Sequence, residues 1–211
     1  IKDKYLVAYA ALRMVLQLLL VGYALQYLFA RDIPPLTLAV IGVMIIAAVG
    51  IALRPVNAGG RDHLLAALAG IGLGGSVNLL LVVGLVLRER SWSEPSLLIP
   101  LAGMVYANAM NTVSLAAERY LSERARGAAY LAARNAAFRA GMLPQVNSLL
   151  AVGLVSLPGM MTGQILSGVS PLIAVRYQIV VMCMILGSAG MAAALYLQLL
   201  KHREKVPPVH P

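Results

Sequence analysis

Charge and cysteine are what this sequence has least of. Only 12% of its 211 residues are charged, and Cys183 is its one cysteine. A lone cysteine excludes an intrachain disulfide and by itself suggests no cysteine-based metal site. No G-x-x-x-x-G-K-[ST] phosphate-binding loop is present, so the chain carries no ATP site of that kind. His63, His202 and His210 read as loop or tail residues. No Ser/His/Asp or Cys/His set falls within one compartment, which argues against an enzyme. Carboxylates are scarce as well, with eight Asp and Glu in all, and none falls inside an apolar run. A hard, dehydrated cation has no buried carboxylate oxygens to bind.

What fills the chain instead is apolar: 60% of residues are hydrophobic and mean hydropathy is +0.82. Soluble domains are about 45–50% apolar and about 25% charged. The composition therefore indicates an all-α, polytopic transmembrane helical bundle forming one permease-like domain over residues 1–211. Runs of about 20 apolar residues, enough to cross a ~30 Å core, occur at Tyr5–Phe29, Leu36–Leu53, Leu64–Leu87, Leu97–Ala117, Pro144–Ser167 and Leu172–Leu200. Ile33-Pro34-Pro35, Asn57-Ala58-Gly59-Gly60 and Ser93-Glu94-Pro95 punctuate them. With residues 118–139 placed in the cytoplasm, twelve Lys and Arg fall on that side and three on the other. The positive-inside rule then puts both ends in the cytoplasm of a multi-pass plasma-membrane (inner-membrane) protein. It also accounts for the net charge of +9 without nucleic acid as a partner.

The stretch Val152–Gln178 organises the rest. Pro158-Gly159 interrupts it, and Gly168-Val169-Ser170-Pro171 turns it. A proline within a helix frees the carbonyl four residues earlier, here that of Leu154. Lipid offers that group no water, so protein or a cavity must satisfy it. Pro158 and Gly159 read either as a packing kink or as the hinge of a transporter's broken span.

Amides, thioethers and two arginines are the polar resources of the spans. Met104, Asn108 and Asn111 can share one helix face at spacings of four and seven. Met160, Met161 and Gln164 follow the break, Gln178 lies in the last span, and Gln17 and Asn78 add amides elsewhere. Met sulfur suits soft ions such as Cu(I), although methionines more often fill gaps and amides also pin helices together. Arg13 stands eight residues inside the first span and Arg176 near the start of the last. Each reads either as snorkelling or as facing a cavity. Gly70-Ile71-Gly72-Leu73-Gly74-Gly75 has neither the strand nor the lysine of a nucleotide loop, and reads as a small-residue face for close helix packing. The Ala-, Arg- and Glu-rich segment 118–139 reads as a cytoplasmic helix, either simply solvated or docking a partner through Glu123, Arg124, Arg126 and Gly127.

Three blocks carry a family resemblance. The run Gly153–Leu166, containing Leu157-Pro158-Gly159-Met160-Met161-Thr162-Gly163-Gln164, continues through Gly168, Pro171, Ala174 and Tyr177-Gln178-Ile179. Ile99-Pro100-Leu101-Ala102-Gly103-Met104 with Asn108-Ala109-Met110, and Arg13 with Gln17–Tyr23, complete the set. Together they resemble the FetB-type iron-export ABC transporter permeases over essentially the whole chain. The resemblance implies a half-transporter without its own ATPase site. Its expected partners are a separate ABC ATPase that holds ATP and Mg, a second permease copy forming a homodimer, and the lipid bilayer. It implies one more apolar helix ahead of Ile1, hence seven spans in a complete chain, and a longer segment between Ser122 and Ala132. The expected cargo is iron or another metal ion, with the metal ligands unknown from sequence. A chelated metal, an organic cargo such as a sugar nucleotide, and a non-transporting membrane scaffold for an ATPase stay open. A passive channel is disfavoured because no charged ring or filter repeat is visible.

Overall fold

The computed structural model describes residues 3–31, 33–54, 56, 60–87 and 94–203. Helix α1 spans Asp3–Arg31 and α2 spans Pro34–Ala52. Residues 61–87 form one continuous helix of four segments: α3 (Arg61–Ala67), a π-helical stretch (Leu68–Gly74), α4 (Gly75–Leu81) and a second π stretch (Val82–Leu87). Then follow α5 (Pro95–Ala125), α6 (Tyr130–Ala151), α7 (Gly159–Leu166) and α8 (Pro171–Arg203). An all-α polytopic bundle is what composition implied, and the described residues form no strand.

Prolines start the helices where the sequence punctuates. Pro34 and Pro35 open α2, and Pro95 opens α5 behind the Glu94 N-cap, positions where the missing N–H costs nothing. The Asn57–Gly59 part of the second linker lies outside the described residues. His63 and His202 are helical, in α3 and α8, rather than in loops; His63 Nδ1 lies 2.7 Å from the Tyr196 hydroxyl. His210 lies outside the described residues.

Helices α5 and α8 form the centre. Val105, Tyr106, Ala109, Val113, Ala117 and Tyr120 of α5 are buried, as are Met184, Ala192, Tyr196 and Leu197 of α8. The third helix crosses α8 with almost no gap. A Cβ at Gly70 would sit 2.6 Å from the Ala192 carbonyl oxygen, and one at Gly74 would sit 3.0 Å from the Ala192 nitrogen. The glycine run is thus a helix-packing face, and its π-helical winding brings both glycines against the same residue of α8. Helix α1 stands apart: Leu28 is its one buried residue among the side chains described.

Five helices are long and apolar enough to cross a membrane: α1, α2, the third helix, α5 and α8. The sequence placed a further span at Pro144–Ser167, and the structure redraws it. Pro144 lies inside α6, which begins at Tyr130 and ends at Ala151. Residues 152–158 are non-helical, and α7 follows. The Tyr130 hydroxyl donates to the Leu197 carbonyl at 2.8 Å near the end of α8, while α7 turns directly into the start of α8. Residues 130–166 therefore run the length of the bundle as a broken crossing.

Pro158 is correspondingly not a mid-helix kink. It is the extended N-cap residue of α7, with φ −63° and ψ 141°. Leu154, whose carbonyl it would have displaced, is not in a helix. The break starts at Gly153, whose φ of +82° admits glycine cheaply. Its N–H donates to the Ser156 carbonyl at 2.9 Å.

Segment 118–139 likewise is not a single short helix. It is the tip of the α5–α6 hairpin, turning at Arg126–Ala129. At about 1.5 Å per residue, α5 is about 46 Å long and outruns a ~30 Å core.

Candidate functional site: the broken crossing and the amides around it

Where α6 meets α5, the backbones touch. A Cβ at Gly141 would lie 2.6 Å from the Thr112 carbonyl oxygen. One turn later this close approach sets Gln145 against α5. Gln145 Nε2 donates to Asn108 Oδ1 at 3.2 Å and lies 3.4 Å from Thr112 Oγ1. Asn108 Nδ2 in turn donates to the Met104 carbonyl at 2.8 Å. Thr112 is 1% exposed and Gln145 8%, so this is a buried polar cluster joining two helices. Sequence reasoning found Asn108 and Met104 but missed Gln145 and Thr112. Thr112, one turn beyond Asn108, was the available signal, a polar stripe within an apolar span. Asn111, grouped with them by spacing, is exposed instead.

The residues after the break divide similarly. Met160 packs against the core. The Thr162 hydroxyl donates back to the Pro158 carbonyl at 3.1 Å, an acceptor it shares with its own backbone N–H. Gly159 opens that helix with free space where its Cβ would be. Met161 and Gln178 line a cavity of about 330 Å³ between loop 152–158, α7 and α8. Gln164 Oε1 and Gln178 Oε1 are buried without a hydrogen-bond partner. An orphaned buried carbonyl oxygen costs about 1–3 kcal/mol, so two such oxygens in the helices that follow the break single out this region. Arg13 is exposed on α1 beside Tyr9, Leu16 and Gln17 of its own helix. Arg176 is exposed in the first turns of α8. The structure therefore brings Met161 and Gln178 to one cavity and Met104 and Asn108 to one cluster, and leaves Arg13 and Asn111 apart from both.

At the hairpin tip, three of the four docking candidates build the turn itself. Glu123 pairs with Arg119 at 2.6 Å. Arg124 Nη1 donates to the Ala128 carbonyl at 2.8 Å. Gly127, with φ +82°, takes the left-handed position that ends α5, and the Ala128 N–H closes back onto the Glu123 carbonyl. Arg126 is exposed on the tip.

Five long apolar helices and a sixth, broken crossing define an integral membrane protein. The chain belongs to the family described as "Uncharacterised protein family (UPF0014)", which matches residues 2–134 and 124–204. The two matches overlap over residues 124–134, across the hairpin tip. Among its relatives, a UPF0014 membrane protein of Synechocystis is 39% identical over 191 residues, covering 82% of this chain and 73% of that one. The probable iron export permease protein FetB of Escherichia coli is 33% identical over 85% of this chain and 74% of its own length. Protein ALUMINUM SENSITIVE 3 of Arabidopsis thaliana is 32% identical over 88% and 72%. No solved structure matches.

Proposed function

We propose that this chain is the membrane permease subunit of an ABC transporter that exports a metal ion, driven by ATP and Mg held in a separate ATPase. The likeness to a relative named as a probable iron export permease carries this reading: it covers 85% of this chain, and the family match, over residues 2–134 and 124–204, takes in the broken crossing. Two permeases pack together in the bilayer. The exposed hairpin tip around Arg126 meets the ATPase, and residues 152–158, a non-helical turn whose Leu154, Val155 and Ser156 N–H groups all fold back on the Ala151 carbonyl, flex as the ATPases close. The polar groups Asn108 and Gln145, at the α5–α6 contact, and Gln164 and Gln178, beyond the break, line the path.

Reconstituting the permease with its ATPase and measuring hydrolysis against metal concentration tests the reading. A pathway predicts that metal stimulates hydrolysis and that Gln164→Leu abolishes the stimulation while leaving basal hydrolysis intact. A scaffold predicts indifference to both metal and substitution, and that result would refute the proposal.

A further inference from the structure

The cavity behind the break has walls of unusual chemistry. Met161 enters from α7, while Gln178, Met182 and Cys183 come from one stripe of α8. Gln178 and Met182 are one helical turn apart, so they stack on the same face. Cys183 is the chain's one thiol and is exposed. Gln178 is 6% exposed, and its Oε1 has no partner. The remaining wall is aliphatic, including Leu149, Leu157 and Ile179.

We infer that this cavity is a binding site for a soft monovalent cation, Cu(I) or its analogue Ag(I), held by the sulfurs of Met161, Met182 and Cys183. Thiolate and thioether sulfur select such ions over hard ones. Charge fixes the valence. Binding replaces the Cys183 S–H bond with an S–metal bond and releases one proton to solvent. The +1 ion and the thiolate cancel, leaving a neutral group that an aliphatic wall can hold. A divalent ion on the same ligands keeps net charge, and burying it there is far more costly. Gln178 supplies the polar contact: with its Oε1 enclosed by protein, its amide N–H is the group that can turn toward the thiolate. This site names a cargo class for the permease and rests on that reading for its purpose, but not for its test.

The test is binding to the purified full-length permease in lipid nanodiscs, without ATPase or ATP. Cys183 reports occupancy through its reaction with a small maleimide. Ag(I) is expected to protect it, and Fe(II) is not. Met161→Leu with Met182→Leu conserves volume, and should raise the Ag(I) needed for half-protection about tenfold or more. Thermal unfolding of the double variant confirms that it folds. Protection unchanged in that variant would mean that the cysteine alone binds silver, and the site would be refuted. Equal protection by Fe(II) would refute the selectivity. Neither result touches the transport reading, and a failure of ATP-driven transport would leave a measured Ag(I) site standing.

Discussion

Gln145 and Gln164 are both amides at depth, yet removing them should have opposite effects. Gln145 bonds Asn108 and reaches toward Thr112. Asn108→Leu strands its amide and should cost about 1–3 kcal/mol. Asn108→Leu with Gln145→Leu should cost less than the two single changes summed, as a double-mutant cycle of thermal unfolding would read. Gln164→Leu and Gln178→Leu remove oxygens that have no partner, so stability should hold or rise while function is lost. Polar residues kept against stability are the residue-scale mark of function. At the surface, Arg119→Ala breaks a pair whose arginine is 47% exposed, and less than about 1 kcal/mol should be lost. Asn108 was legible from sequence because an amide in an apolar run stands out. Gln145 was not, since its meaning depends on which turn of α5 faces α6. Gly141 sets that register, and the contact is non-local.

Helices were the more readable scale. Five of the six expected spans appear as long apolar helices with proline and glycine near the predicted boundaries. The other, Pro144–Ser167, is a crossing broken in two that starts earlier, and Pro158 was taken as the cause of its break. Proline marks where α7 can start, whereas α6 stops at Ala151 ahead of Gly153 in the left-handed region. Hydropathy cannot see that difference, since Leu154, Val155 and Leu157 are as apolar as any helix. Two element-scale predictions follow from glycine packing. Gly141→Val should push α6 from the Thr112 carbonyl, and Gly70→Val should push the third helix from Ala192. Each should lose about 1–3 kcal/mol by overpacking, read as a lowered unfolding midpoint. Gly127 has open space around it, so Gly127→Ala tests conformation alone, and should cost about 1–2 kcal/mol.

For the molecule as a whole, the bundle gathers the start of the third helix, the α5–α6 tip and the end of α8 at one end, through His63–Tyr196 and Tyr130–Leu197. That is the end the charge count assigned to the cytoplasm. In a Cys183→Ser background, Arg126→Cys and Lys201→Cys should react with an impermeant maleimide from the same side of the membrane, and Glu94→Cys from the other. The central claim is vectorial metal transport, and the most direct measurement is ATP-dependent uptake into inside-out proteoliposomes holding the full-length permease and its ATPase, offered Fe(II), chelated Fe(III) and Ag(I) in turn. Uptake of a metal ion that requires ATP and vanishes when the ATPase loses its phosphate-binding lysine is the predicted result. Intact, permease-coupled ATP hydrolysis with no metal accumulating under any of these conditions would contradict it.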